Sequence, residues 1–353
     1  MKLRRSWRTA GSLALAAAAL LPACGRRKAE VVDITPSFSV NRTSAAQDSA
    51  IEVTYTWTTG PTFKKLDKDH RAFVHFLDSH KVVLFTDDHE PTPAPTSWEP
   101  NQTYSYKRTV FMPVYPYVGD IRVAMGLFPA VGKGERLNLK GEDLGLRAFK
   151  VASMELQPRT ENIFLYQKEG WHNPESHPDN PSVIHQWTKQ QALVSFKNPK
   201  KDIVVYLEAD TCSKCFPETP VLTVSINDKT GIVVPIENGD VFLKKIKVKA
   251  ADLGTADDVD LKFSMNQFFI PKSVQDVLGK TPDDRELGLN IYHLFVGQAD
   301  KLGPIPEDQT VEASALPAPA KAGAKPAAAK APLGAKAPAA AKPAAPGTTQ
   351  KKG

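Results

Sequence analysis

Short segments in which apolar and polar residues alternate recur through the middle of the chain. In residues 51–57 (IEVTYTW), β-branched and aromatic residues alternate with polar ones. Side chains of a strand point alternately to opposite faces, so this pattern predicts strands with one buried face. Only residues 272–278 suggest a helical turn. Further strand-like segments are 72–77, 82–85, 104–111, 120–128, 202–209, 221–226, 231–236, 241–248, 260–265 and 287–296.

This pattern predicts an all-β protein. Between its two ends the chain has about 280 residues, enough for two ordinary hydrophobic cores. Turn residues at 78–81 and 227–231 predict hairpins between the strands on either side. We therefore expect two antiparallel β-sandwich domains of Ig-like or jelly-roll-like type, over residues 30–154 and 155–302, with the second of jelly-roll type.

The N-terminus has the pattern of an export signal. Four cations within residues 1–8 precede an uncharged apolar run at residues 13–21. This run is shorter than the roughly 20 apolar residues that span a bilayer, and it fits the apolar region of a signal peptide. It ends in residues 21–25 (LPACG), which resemble the lipobox of bacterial lipoproteins.

The lipobox resemblance implies removal of residues 1–23 and attachment of diacylglycerol to Cys24. Residues 24–29 then form a short tether. The protein would be held in the cell envelope, on a bacterial membrane and facing the periplasm or the cell surface, with membrane lipid as a partner. A secretory signal with an unlipidated Cys24 is the alternative.

The C-terminal residues 303–353 differ in composition from the rest. From residue 313 onward Ala, Pro, Lys and Gly dominate, with seven lysines and no acidic or aromatic residue. Such a segment cannot bury enough apolar surface to offset its chain entropy, so we expect a disordered tail. The tail carries seven of the positive charges and residues 1–23 carry four. The net charge of +6 therefore leaves −5 for residues 24–312, and we expect no nucleic-acid partner.

Short motifs in both predicted sandwiches resemble accessory modules of bacterial envelope proteins. In the first they are HFLD at 75–78, DDHEP at 87–91, PTSWEPNQ at 95–102 and VAMGLF at 123–128. In the second they are GWHNPE at 170–175, QWT at 186–188 and DRELG at 284–288, with Gln186 where the module usually has Arg. Both modules occur in extracytoplasmic parts of glycosyltransferase-type membrane proteins, and the first also in stand-alone lipoproteins. The resemblance implies a carbohydrate-associated accessory role.

The first sandwich offers one cluster of candidate ligand-binding residues. Asp87 and Glu90 supply oxygen ligands of the kind Ca²⁺ prefers, and His89 would shift the preference to Zn²⁺ or Cu²⁺. Alternatively Asp87 or Asp88 accepts hydrogen bonds from loop amides while the others are solvated. Trp98 is either a stacking platform for a sugar ring or a core residue.

Both predicted sandwiches contain further candidate metal-binding or sugar-binding residues. His172, His177 and His185 lie within fourteen residues and could bind a transition metal, or could belong to a surface loop. The same alternatives apply to Asp67, Asp69 and His70 in the first sandwich. We favour the loop interpretation for both groups and predict neither a metal nor a cofactor. Trp171 and Trp187 are candidate sugar-binding residues.

Cys212 and Cys215 form a CxxC pair that allows three interpretations. They could form a structural disulfide, a redox pair or a metal site. Phe216, Pro217 and Pro220 exclude the helix that follows a thioredoxin-type pair. In an exported protein thiols tend to be oxidised, so we predict a disulfide.

No nucleophile elbow, phosphate-binding loop, dinucleotide fingerprint or zinc-protease helix occurs in the sequence. We therefore expect a non-catalytic binding or scaffolding role linked to surface polysaccharide, with a polysaccharide or an envelope protein as partner. A glycan-binding role predicts an aromatic-lined groove. The candidate positions are near Trp98, Tyr104, Tyr115 and Tyr117, or near Trp171 and Trp187. A glycan hydrolase, which needs two carboxylates about 5–9 Å apart, and a metal or redox carrier using the CxxC pair are the alternatives.

Overall fold

A computed structural model describes residues 30–132, 134–178 and 180–316. They form two β-sandwiches in succession, which confirms the all-β class predicted from the sequence. The first sandwich is built from β1 Ile34–Val40, β2 Ser44–Ala46, β3 Ala50–Thr59, β4 His70–Leu77, β5 Val83–Thr86, β6 Thr103–Phe111, β7 Gly119–Pro129, β8 Glu142–Asp143 and β9 Phe149–Gln157.

The first sandwich has an Ig-like arrangement. One sheet has the order β1-β3-β6, and the other has the order β2-β9-β7-β4-β5 with β8 beside β9. The short β2 runs parallel to β9, whereas the other pairs are antiparallel. The sheet β1-β3-β6 corresponds to strands A, B and E of an Ig fold, and β4, β7 and β9 in the other sheet correspond to strands C, F and G. The predicted hairpin between β4 and β5 is present.

The second sandwich follows and contains two six-stranded sheets. Its strands are β10 Leu165–Gln167, β11 Glu175–His177, β12 Asn180–Trp187, β13 Gln191–Lys197, β14 Ile203–Asp210, β15 Val221–Ile226, β16 Thr230–Pro235, β17 Phe242–Val248, β18 Asp258–Met265, β19 Asn290–Gln298, β20 Thr310–Glu312 and β21 Ser314–Ala315. Within the described ranges, the α-helix is α1 Gln275–Leu278. The 3₁₀ turns are Pro95–Ser97, Arg159–Glu161, Ser213–Cys215, Ala250–Leu253, Pro271–Ser273, Ala299–Lys301 and Glu307–Gln309.

The eight main strands of the second sandwich have jelly-roll topology. β12-β19-β14-β17 lie side by side in one sheet, and β13-β18-β15-β16 lie side by side in the other. Successive strands from β12 to β15 therefore alternate between the sheets, which is the double Greek key of a jelly roll. The short strands β10, β11, β20 and β21 extend the sheet edges.

Each sandwich buries one face of each of its sheets. The strand β18 shows this directly, since its residues alternate between buried and less buried along its whole length. The first core is centred on Tyr55, Trp57 and Phe76, and the second includes Phe196 and Phe263. Full burial of one such side chain contributes about 1.5–3 kcal/mol to folding.

The two sandwiches also contact each other directly. Ala50 at the start of β3 packs with Val204, Tyr206, Phe295 and Leu302 of the second sandwich. These contacts involve the outward face of the sheet that contains β14 and β19. The described residues up to Ala315 accordingly belong to one compact unit.

Strands of both sandwiches extend beyond the predicted domain boundaries. In the first sandwich β9 ends at Gln157, whereas the predicted boundary is residue 154. β20 pairs with β17, and β21 pairs with β16, so the second sandwich continues to Ala315 rather than 302. The predicted signal peptide, Cys24 tether and most of the predicted tail lie outside the described residues. Among the described residues, none of the helices is long and apolar enough to cross a membrane.

Candidate functional site

The side chains of Asp87 and His89 belong to a closed hydrogen-bond network inside the first sandwich. The carboxylate of Asp87 accepts a 2.8 Å bond from the Tyr55 hydroxyl and two 2.9 Å bonds from the Arg108 guanidinium. The ring nitrogens of His89 lie 2.7 Å from the Asp87 carbonyl and 2.7 Å from the Tyr106 hydroxyl. The network therefore joins the segment after β5 to β3 and β6.

This network favours the structural alternative for Asp87 and His89 over ligand binding. His89 is buried, and burial lowers its pKa although Asp87 acts in the opposite direction. Its ring nitrogens are both engaged, and the carboxylate of Asp87 is already paired with Arg108, so neither group is free to coordinate a metal. Asp88 is exposed, and one of its oxygens accepts a 3.1 Å bond from the backbone N–H of Val74.

Trp98 is a core residue and not a surface platform. Its side chain has no solvent exposure, and its indole N–H donates a 3.0 Å bond to the Pro93 carbonyl. Its ring stacks on Tyr104 at 5.2 Å between centroids and lies 5.8 Å from Trp57. Of the two interpretations of Trp98, the core residue therefore fits the structure, because the ring has no face open to solvent. Tyr104, Tyr115 and Tyr117 also pack against this core.

Trp171 faces the interior of the second sandwich. Its indole N–H donates a 2.9 Å bond to the carbonyl of Leu193, and its ring meets Phe263 edge to face. It lines a cleft of about 540 Å³ between the two sheets. Trp171 and Trp187 thus line different cavities, and the predicted shared groove is not present.

Trp187, at the end of β12, borders an open pocket on the outward face of its sheet. The pocket measures about 720 Å³, within the range of ordinary small-ligand sites. Trp187 is half-buried and packs edge to face on Phe269, at 5.7 Å between ring centroids. The exposed side chains of Val277 and Leu278 from α1 form part of the rim. An aromatic face and an apolar rim can hold the apolar face of a ligand ring.

Polar side chains from three neighbouring strands converge in the same pocket. The Asp210 carboxylate accepts a 3.0 Å bond from the Asn290 amide and a 2.9 Å bond from the Tyr292 hydroxyl. The Asn290 carbonyl oxygen lies 2.8 Å from Nδ1 of His185, which must therefore carry a proton. In this series of hydrogen bonds each donor points toward Asp210. The Asp210 carboxylate is therefore the terminal acceptor, and its oxygens have lone pairs left to accept a bond from a ligand hydroxyl.

The register of the sheet explains why these residues meet. β14 and β19 pair Asp210 with Asn290, and β12 and β19 pair Asn290 with Trp187. Residues directly opposite in antiparallel strands share one face. Trp187 was a candidate from the sequence, whereas Asp210, Asn290 and Tyr292 were not. The available signal was the alternation in β14, which places Glu208 and Asp210 on the face opposite Leu207 and Ala209.

The surroundings of Asp210 and Tyr292 shift the pKa of both groups. Burial raises the pKa of this carboxyl group, while the hydrogen bonds from Tyr292 and Asn290 act in the opposite direction. Burial also raises the pKa of Tyr292, and the nearby Asp210 adds to the effect. The Tyr292 hydroxyl therefore stays protonated and donates to Asp210. The pocket wall further contains His177, His185, Lys214 and Asp240.

Cys212 and Cys215 form a disulfide bond, as predicted. The bond spans a 3₁₀ turn at Ser213–Cys215 that follows β14. Cys212 lines the pocket, whereas Cys215 is 7% exposed and packs with Phe216, Phe269 and Leu287.

The histidines of the second sandwich do not come together as a set of three. The rings of His177 and His185 lie 6.2 Å apart, but His172 is bonded to the carbonyl of Glu286. In the first sandwich, Nδ1 of His70 lies 2.8 Å from the carbonyl of Lys68, and Thr96 donates to Asp69. Across residues 30–132, 134–178 and 180–316, no group of three or more His, Cys, Asp and Glu side chains is arranged to hold a metal ion.

Comparison with known proteins gives no family assignment. Neither a protein-family model nor a curated protein sequence matches the chain. Among solved structures, the M60 catalytic domain with the CBM51-1 and CBM51-2 domains from Clostridium perfringens ZmpB is 8% identical. It aligns with 76% of this chain and 32% of its own length, at a TM-score of 0.23. The chain thus spans about a third of that structure.

The collagen adhesin CNA from S. aureus is also 8% identical over 75% of this chain and 94% of its own, at a TM-score of 0.17. Both scores are too low to support an argument about function.

Proposed function

We propose that the chain is a lipid-anchored protein of the bacterial envelope that binds glycan without catalysing a reaction. Its binding site is the pocket formed by Trp187, Asp210, Asn290 and Tyr292. The observation that supports this proposal is one half-buried indole beside a hydrogen-bonded carboxylate in an open pocket. A sugar ring has an apolar C–H face that packs on an aromatic ring, and its edge hydroxyls donate to carboxylates.

The anchor is part of the same proposal. Cys24 would carry the lipid, and a tether of a few residues would place the first sandwich next to the membrane. The pocket lies in the second sandwich, which follows the first in the chain and faces the surrounding polysaccharide. Membrane lipid and surface polysaccharide are then the two partners.

Two alternatives remain as further proposals. A glycan hydrolase would use the carboxylates of Asp210 and Asp240, which both line the pocket. Its signature is the release of reducing ends from a bound glycan. A metal carrier would need the thiols of Cys212 and Cys215 free, whereas a redox carrier would cycle their disulfide to two thiols and back.

Glycan-array binding tests the main proposal. The full chain is purified in a polyoxyethylene detergent, since detergents with sugar headgroups would compete. We expect binding to a defined glycan, with affinity lowered at least about tenfold, or 1.4 kcal/mol, in the Trp187→Ala and Asp210→Asn variants. The matched control is Tyr166→Ala, which removes an exposed aromatic ring outside the pocket.

Absence of binding to every glycan on the array would overturn glycan binding and favour the scaffolding role with an envelope protein. Binding that survives Trp187→Ala but not Tyr166→Ala would place the site elsewhere.

A further inference from the structure

The disulfide connects the two halves of the pocket. On one side, Cys212 lies two residues after Asp210, so it directly continues the strand that carries the carboxylate. On the other side, Cys215 packs in an apolar cluster with Phe269 and Leu287. Trp187 packs against this same cluster. Cys212 packs against this cluster as well, so the covalent bond reinforces an existing contact between the carboxylate side of the pocket and the cluster that holds the indole.

The two sulfurs differ in their access to solvent. Cys212 is partly exposed and lines the pocket, whereas Cys215 is 7% exposed. An incoming thiolate must reach one sulfur along the S–S axis, and Cys212 is the member of the pair that lines the open pocket.

The bond is local in its effect on the fold. Thr211 is fixed independently, because its hydroxyl donates a 2.6 Å bond to the carbonyl of Gly288. The disulfide closes a loop of four residues and so constrains the unfolded chain very little. Both sandwiches should therefore stay folded without it.

We propose that Cys212 is a thiol–disulfide exchange site, and that reduction by an external dithiol weakens ligand binding in the pocket. One thiolate of the dithiol attacks Sγ of Cys212. The S–S bond breaks, and Cys215 leaves as a thiolate that takes up the proton released by the attacking thiol. The second thiol of the dithiol then resolves the mixed disulfide. The dithiol is oxidised to its disulfide, and Cys212 and Cys215 are both reduced to thiols.

The consequence for the pocket follows from the packing. With the bond broken, the pocket wall at Cys212 is held by its packing on the cluster under Trp187 and by a 2.9 Å bond from the backbone N–H of Cys215 to the carbonyl of Cys212. This wall then becomes more mobile, which lowers affinity because binding must order it. This part of the inference rests on the proposed glycan-binding function, whereas the exchange site at Cys212 does not.

A first experiment tests the exchange site with glutathione as the probe. The full chain is treated with glutathione, acid-quenched and mapped by mass spectrometry, which separates Cys24 from the other two thiols. We expect the glutathione adduct on Cys212. An adduct found on Cys215, or none at a concentration that reduces exposed disulfides, would overturn the assignment.

A second experiment tests the coupling to the pocket without any ligand. Acrylamide quenching of tryptophan fluorescence is compared before and after treatment with dithiothreitol. We expect the quenching of Trp187 to rise at least about twofold, as local packing loosens. The increase should vanish in the Trp187→Phe variant and persist in Trp171→Phe. A Cys212→Ser/Cys215→Ser variant should resemble the reduced protein before any dithiol is added. Unchanged quenching of Trp187 would overturn the coupling.

A third comparison applies to whichever glycan the array identifies. Reduction is expected to weaken its binding about tenfold, and equal affinity in both redox states would overturn the gating. If the oxidised chain binds no glycan, the proposed function fails, while the two ligand-free experiments still decide the redox inference.

Discussion

Nζ of Lys245 lies 2.7 Å from Oε2 of Glu52, across the junction between the two sandwiches. The two side chains are 1% and 7% exposed. Glu52 also accepts bonds from the hydroxyls of Tyr206 and Thr109, and Lys245 donates to Gln309. Both charged groups are therefore hydrogen-bonded and shielded from water, and the pair links one sandwich to the other.

Removal of one member of this pair should be costly. We expect Lys245→Met to lower the free energy of unfolding by about 3–5 kcal/mol, because Glu52 is left buried without its cation. Urea denaturation of the full chain measures this. The double variant Lys245→Met/Glu52→Gln should recover most of the loss, since neither charge then remains.

A surface pair supplies the control for that measurement. Lys65 and Glu99 are 2.8 Å apart, but their side chains are 58% and 59% exposed. We expect Lys65→Met to cost less than about 1 kcal/mol. Equal effects of the two lysine substitutions would show that the Lys245 pair contributes nothing beyond a surface contact.

Trp98→Ala should act on stability, since the ring is fully buried. We expect a loss of about 3–5 kcal/mol from the cavity and the lost contacts with Tyr104. Trp187 is half-buried, so Trp187→Ala should cost clearly less. Thermal unfolding of the two variants gives the comparison. A Trp98→Ala protein with wild-type stability would contradict the core assignment.

The Asp87 network should also be structural. Asp87→Ala leaves the Tyr55 hydroxyl and the Arg108 guanidinium without their acceptor, at a cost of about 1–3 kcal/mol. The control is Asp88→Ala, since Asp88 is exposed and accepts a single backbone bond. Added Ca²⁺ or Zn²⁺ should leave the melting temperature of the wild-type protein unchanged. A rise that requires Asp87 would revive the metal interpretation.

The local sequence pattern was sufficient to predict most of the main strands of both sandwiches and both hairpins. The alternation in residues 51–57 predicted the centre of β3, and the turn at 227–231 predicted the β15–β16 hairpin. Several strands escaped prediction, β9 among them. β1 contains Pro36, and β20 and β21 lie within the segment that was assigned to the tail.

Contacts between distant residues could not be predicted in this way. Lys245 lies in a strand with three lysines, a composition typical of a solvated face, and its partner is 193 residues away. In the sequence, Trp98 and Trp187 are equally suited to be stacking platforms for a sugar. Tertiary packing buries Trp98 completely and leaves Trp187 half-buried at the border of a pocket. Asp210 was overlooked because its partners Asn290 and Tyr292 lie about 80 residues further along the chain.

Cys24 should determine where the protein is found. We expect the wild-type chain in the membrane fraction and the Cys24→Ser chain in the soluble periplasmic fraction, because two or more acyl chains are needed for stable anchoring. Fractionation followed by immunodetection measures this, with Cys212→Ser as the matched cysteine control. Membrane association of Cys24→Ser would contradict the lipid anchor.

Asp210 should make the protein less stable as the pH rises. Burial raises the pKa of Asp210 above 3.8, so the folded state holds this proton more tightly than the unfolded state does. Between 3.8 and the raised pKa, folding takes up a proton, and the free energy of unfolding therefore falls with increasing pH. The Asp210→Asn variant lacks this term. We expect it to gain stability relative to the wild type from pH 4 to the raised pKa, while it loses glycan binding. Urea denaturation at a series of pH values measures the difference. A wild-type advantage that grows with pH would contradict the raised pKa of Asp210. It would also contradict the role of Asp210 as a half-buried acceptor for a ligand hydroxyl.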